Sequence, residues 1–228
     1  MARHRQVGPL SQYHDLKTID AFDVRDRLAT LEPKLLLLRG VDDPGHPPEY
    51  EKEIHEAVPG SRYVKLSGAG HFPPTEIPDE VKGLVLMTVA ARPMTRAPGT
   101  YEMRLRAMED PKVYEEWLAY QRHAMKLVEP GLREQLMARH RQVGPLSQYY
   151  DLKSIDAFDV RDRLATLKPK LLLLRGMDDP TNPPEYEKEM HEAVPGSRYV
   201  KLSGAGHFPP TEIPDKVNAL IEEFVATL

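Results

Sequence analysis

The chain has 228 residues, of which 40% are apolar and 29% charged, enough for a packed core and unlike a disordered segment. Its net charge of −4, from 31 basic and 35 acidic side chains, offers no basic excess for nucleic acid, and the longest aliphatic runs, Leu35–Leu38 and Leu171–Leu174, are far too short for a bilayer. With no cysteine there are no disulfides, thiolate metal sites or cysteine nucleophiles, and Met1–Arg5 lacks the apolar stretch of a signal peptide, so a cytoplasmic protein is expected.

The chain repeats itself. Met1–Asp79 aligns without gaps on Met137–Asp215. Over residues 1–80 only eight positions differ and 72 are identical; Gly45/Thr181 and His46/Asn182 are two of the eight. A unit this long and this well preserved is no solenoid repeat and points to a segmental duplication or a fusion. Three segments follow: a first copy over 1–82, a single-copy segment over 83–136, and a second copy over 137–228. One intertwined fold is expected, because a two-strand copy has too little core of its own.

In chain order, Met1–Gln6 reads as the stump of a helix whose full form lies near 130–140. Lys34–Arg39 is a continuous apolar run ending at Gly40, the pattern of a strand buried on both faces in a parallel sheet. Glu49–Glu56 reads as a solvated helix face and Arg62–Leu66 as a strand. Gly83–Ala90 reads as a further strand. Asp110-Pro111 is an N-cap followed by proline in the first turn, opening a helix over Lys112–Leu127 that carries Val113, Trp117, Tyr120 and Met125. Trp117, Tyr120 and Met125 are read as packing within a helical cap. Pro130 opens a second helix ending near Gly144-Pro145. The second copy repeats the strand at 170–175, a helix from Pro184 to Ala193, a Pro195-Gly196-Ser197 turn and a strand at 198–202. It closes with a helix over Asp215–Thr227 whose Val217, Leu220, Ile221 and Phe224 share one face. Strand, helix, strand, helix predicts an α/β class with a mostly parallel sheet of about five strands, flanking helices and a helical cap.

The run Leu171–Leu174, Arg175-Gly176-Met177-Asp178-Asp179-Pro180, a helix, Pro195–Val200, then Gly204-Ala205-Gly206-His207 and Glu212-Ile213-Pro214-Asp215 resembles the C-terminal end of α/β-hydrolases of the small esterase and enol-lactonase type. In that family a strand ending in Gly-x-x-Asp supplies the triad acid and the next, ending in Gly-His, the base. The resemblance implies that Asp179, with Asp178 beside it as the alternative, is the acid and His207 the base; in the first copy these are Asp43 and His71. Gly83–Pro93 resembles the preceding family strand leading into cap helices.

The family's Gly-x-Ser-x-Gly turn is absent from this sequence, as is a His-Gly-Gly oxyanion loop. Ser61 and Ser197 follow glycine, but a Pro-Gly turn precedes each and a strand follows. An acid and a base without an aimed nucleophile supply little acyl transfer. A hydrolase-derived chain inactive as a serine hydrolase is therefore expected. The alternatives are a weak carboxylic-ester or lactone hydrolase using the Asp–His pairs on water, and a non-enzymatic oligomeric scaffold. No cofactor or metal is expected, since His46 and His55 are nine apart and Asn182 replaces His46 in the second copy. Neither nucleic acid nor membrane is an expected partner. If all crossovers are right-handed, one sheet face keeps its alternate leucines uncovered, which predicts a homodimer, with a domain swap as a second route.

Overall fold

The computed structural model describes Asp23, residues 25–31 and residues 35–228. The expected helical stump at Met1–Gln6 lies outside the described residues. Two compact units divide the chain: Asp20–Lys82, and a unit holding Gly83–Leu228.

In the first unit, β1 (Leu36–Gly40), α1 (Glu49–Ala57) and β2 (Arg62–Leu66) form a strand–helix–strand motif. The strands pair in parallel, with Leu36 opposite Arg62 and Gly40 opposite Leu66. The Pro59-Gly60 turn reverses the chain after α1, and Gly60 takes the left-handed φ of 77° that such a turn requires. A 3-10 turn at Arg25–Thr30 buries Leu28, while Val58 and Ala69 complete the small core. α1 buries no residue completely, in keeping with its reading as a solvated helix.

The second unit contains β3 (Gly83–Met87), α2 (Thr100–Arg106), α3 (Pro111–Ala124), α4 (Pro130–Asp156), β4 (Lys170–Gly176), α5 (Glu185–Ala193), β5 (Arg198–Leu202) and α6 (Pro214–Val225). Its sheet runs β3-β4-β5, all parallel, with Leu84 opposite Leu171 and Leu172 opposite Arg198. The alternation of a strand splits the leucines of β4 between two cores. Leu171 and Leu173 pack with Leu164, Met190 and Val194, whereas Leu172 and Leu174 pack with Leu202, Val217 and Phe224. Helix α5 therefore covers one face and α6 the other.

Two expectations are corrected here. The five strands lie where the sequence places them, but in a two-stranded and a three-stranded sheet rather than one sheet of five. β4 pairs with β3 along one edge and with β5 along the other, and β1 pairs with β2. Nor is a sheet face of the second unit left bare, because α6 lies on Leu172 and Leu174. The uncovered leucines belong to the first copy. Leu36 and Leu38, the counterparts of Leu172 and Leu174, are 53% and 54% exposed. After Asp79 the first copy runs into β3 and never forms the covering helix.

Helices α2–α4 build a separate cluster around Val113, Trp117, Leu118, Met125, Val128 and Met137, with Phe208 packed against it. This bears on the cap reading: the cluster reaches the residue next to His207. Trp117 and Met125 are core, as read from the sequence, but Tyr120 is exposed. Asp110 caps α3 by accepting the Lys112 N–H at 2.9 Å. Helix α4 breaks at Gly144 (φ 78°, ψ 167°), where the sequence places its end, but Pro145 starts a further helical stretch to Asp156. That stretch carries Gln148, whose Oε1 accepts N–H bonds of 2.8 Å from Arg104, Trp117 and Gln121. No helix among the described residues is long and apolar enough to cross a membrane.

Candidate active site

Parallel neighbours end at the same edge of a sheet, so the loops after β4 and β5 meet there. Beyond the strands, Met177 N–H donates to the Leu202 carbonyl at 3.0 Å and Asp178 N–H to the Ala205 carbonyl at 2.9 Å. Gly176 makes this approach possible: a Cβ there would stand 2.0 Å from the Gly206 carbonyl oxygen. Gly40 meets the Gly70 carbonyl oxygen in the same way. The glycine of Gly-x-x-Asp is thus the gap through which the histidine loop crosses.

Asp179 faces the histidine, and Asp178 is exposed. His207 Nδ1 lies 3.0 Å from Asp179 Oδ2. Asp179 Oδ1 accepts the Thr181 N–H at 2.7 Å, the Thr181 hydroxyl at 2.8 Å and the Asn182 N–H at 3.2 Å. The Thr181 hydroxyl also sits 2.7 Å from His207 Nδ1. Since that hydroxyl donates to Asp179, its lone pair and Oδ2 both await a proton on Nδ1. The network therefore assigns the proton to Nδ1 and leaves Nε2 as the basic nitrogen. Burial pushes the Asp179 carboxyl up, but the His207 hydrogen bond, the Thr181 N–H, the His207 charge and the Thr181 hydroxyl outweigh it and hold the group below the ordinary carboxylate range.

Three further contacts hold this pair, and the sequence reading missed them. Arg175, the charged end of an apolar strand, pairs with Glu187 of α5 at 3.0 Å and donates to the Asn182 carbonyl at 2.5 Å, clamping the acid loop at both ends. Thr88 follows β3 with φ 50°, a strained value for a β-branched residue. Its hydroxyl donates to the His207 carbonyl at 3.1 Å and its own carbonyl accepts Asn182 Nδ2 at 2.8 Å. It ends the strand at Met87, earlier than the expected Ala90. Glu212 accepts the Gly206 N–H at 2.5 Å. Burial raises its carboxyl above the ordinary range despite that bond. The available signal was Arg175 itself, a cation in a buried run, repeated at Arg39. A cavity of about 400 Å³ is lined by Asp179, Thr181, Arg175 and Lys201 but not by His207, so it opens on the acid side of the pair.

The first copy repeats the pair with different neighbours. His71 Nδ1 lies 3.0 Å from Asp43 Oδ2, and Asp43 Oδ1 accepts the Gly45 N–H at 2.7 Å. His46 Nδ1 stands 3.2 Å from His71 Nδ1 and 3.5 Å from Asp43 Oδ2, the rings stacked with centroids 4.6 Å apart. The His71 hydrogen bond, the Gly45 N–H and the two imidazole charges hold the Asp43 carboxyl at about 2, against a burial effect in the other direction. Asp43, His46 and His71 are the three residues that could hold a metal among those described. Arg39 reproduces the clamp, 3.0 Å from Glu51 and 2.8 Å from the His46 carbonyl.

Ser61 and Ser197 serve locally. Each hydroxyl meets Nδ1 of a histidine in the preceding helix at 2.7 Å, His55 and His191 respectively, and donates to that histidine's carbonyl.

Residues 151–227 match the family model of TAP-like proteins. No curated protein matches the chain in sequence. Among solved structures, a thermophilic esterase from Thermogutta terrifontis, solved with malate bound, is 26% identical with a TM-score of 0.52, over 68% of this chain. The chain spans 59% of that esterase. A hydrolase from Pseudomonas aeruginosa PA01 is 17% identical with a TM-score of 0.56, covering 85% of this chain and 90% of its own. The enol-lactonase of Burkholderia xenovorans LB400 is 16% identical with a TM-score of 0.54, covering 86% and 93%. The family match over residues 151–227 and these neighbours bear on the fold alone: the fold of this chain is that of the α/β-hydrolases.

Proposed function

We propose that this α/β-hydrolase derivative lacks serine-hydrolase chemistry and retains, in Asp179 and His207, a general base that activates water toward an activated carboxylic ester or lactone. The observation that carries this reading is the Asp179–Thr181–His207 network, which fixes the Nδ1–H tautomer and frees Nε2. Asp43 and His71 offer the same pair in the first copy. The sequence has no Gly-x-Ser-x-Gly turn, so water is the nucleophile and no acyl-enzyme forms. A positioned base contributes about 10²–10⁴-fold, well short of a complete triad with an oxyanion hole.

Two measurements test this. After incubation with a fluorophosphonate, the intact mass is expected to stay unchanged; a stoichiometric adduct overturns the claim about serine. Hydrolysis of an activated aryl ester is expected to fall to the buffer rate in the double variant His71→Ala/His207→Ala. An unaltered rate removes the general base.

A second reading, assembly, is supported by the bare leucines of β1. Two copies of this face, Leu36 and Leu38 against their equivalents, would bury on each chain what α6 buries in the second copy. The reading is a homodimer closed by first-copy sheets.

A further inference from the structure

The two copies differ at eight of 80 positions, and two of these, Gly45/Thr181 and His46/Asn182, fall on the acid loop. In the second copy Asn182 turns away to the Thr88 carbonyl, and the Thr181 hydroxyl fills the space beside the histidine. In the first copy Gly45 leaves that space open, and the His46 ring stacks on His71 instead. One carboxylate oxygen and two imidazole nitrogens converge, 3.0, 3.2 and 3.5 Å apart.

This triangle has the dimensions of a metal-binding face. Tetrahedral zinc with bonds of roughly 2.0–2.1 Å to nitrogen and oxygen places its ligand atoms about 3.3–3.5 Å from one another. The protonation chemistry agrees. His71 Nδ1 and His46 Nδ1 both face Asp43 Oδ2, and with both nitrogens unprotonated three lone pairs share one small space. A cation accepts all three lone pairs at once. The Gly45 N–H holds Oδ1 and so turns Oδ2 toward the histidines, the orienting contact that metal-bound carboxylates commonly have. Both rings are about half exposed, which gives them room to turn from stacked to splayed and leaves the fourth position to solvent.

We propose that Asp43, His46 and His71 form a three-ligand, solvent-open site for a first-row divalent ion of the zinc type, present in the first copy and lost from the second. With an ion bound, Asp43 and His71 serve as ligands; without one they offer the Asp–His pair described above.

Cobalt(II) is the probe, added to the untagged full chain. The expected result is one equivalent bound, with the visible bands of tetrahedral cobalt, displaced by zinc. The variant Gly45→Thr/His46→Asn carries the residues that the second copy places on the equivalent loop, and circular dichroism checks its fold. It is expected to lose the bands and to bind zinc at least about tenfold more weakly, since even outer contacts cost 10–100-fold. His46→Gln, checked by circular dichroism for fold, is expected to do the same. Absence of a stoichiometric cobalt complex overturns the site, as does a complex that survives both variants.

Discussion

Arg175 and Glu187 are both buried, and Glu187 Oε1 has no hydrogen-bond partner. Removing one member of such a pair leaves an uncompensated charge and costs about 3–5 kcal/mol. Arg175→Ala is therefore expected to destabilise by that amount in urea unfolding and to loosen the acid loop. Arg39→Ala is expected to cost distinctly less, because Glu51 is partly exposed and water solvates it. Equal costs would show that burial does not govern the pair. Asp179 predicts the pH dependence. Its carboxyl lies below its unfolded value of 3.8, so the folded state binds fewer protons there. The stability it contributes is full above 3.8 and is lost as pH falls from there through the folded value. Asp179→Asn is expected to flatten the acid limb of a stability–pH curve below 3.8. Coincident limbs for the two proteins would contradict this.

At the scale of elements, the site depends on two strands ending together and on one missing side chain. Gly176→Ala would force its Cβ to 2.0 Å from the backbone of Gly206, which no rotamer change relieves. Overpacking of this kind costs about 1–3 kcal/mol, and the crossing loop must retreat. The expected outcome is a lowered urea midpoint together with loss of the low-field imidazole proton resonance of the His207–Asp179 bond. Survival of that resonance would mean that the loop is held by other contacts, Glu212 with Gly206 and Thr88 with the His207 carbonyl being the available ones.

At the scale of the whole molecule, the same strand sequence occurs in two environments. A leucine fully withdrawn from water contributes roughly 1.5–3 kcal/mol over an exposed one. Leu172 and Leu174 gain this under α6, and Leu36 and Leu38 do not. Light scattering is expected to show a dimer at micromolar concentration. Leu36→Lys/Leu38→Lys is expected to return it to the monomer, since two charges on each facing strand remove the apolar contact and repel. A wild-type chain that stays monomeric over that range would remove the assembly reading.

The sequence by itself determined where the strands lie along the chain and, through the family resemblance, which aspartates and histidines to expect at their ends. Strand runs, Pro-Gly turns and the Gly-x-x-Asp and Gly-His spacings are local properties, and β-strands at 36–40, 62–66, 83–87, 170–176 and 198–202 follow them. It also places the break at Gly144, where a left-handed glycine precedes proline. Only the tertiary structure decided which edges pair. A parallel run of leucines carries no mark of its neighbour, so one expected sheet became two. The clamp of Arg175, the strained Thr88 and the approach of His46 to His71, 25 residues away, have the same origin. Identical leucines are buried in one copy and bare in the other because burial is supplied by a distant segment, and only the second copy has the helix that supplies it.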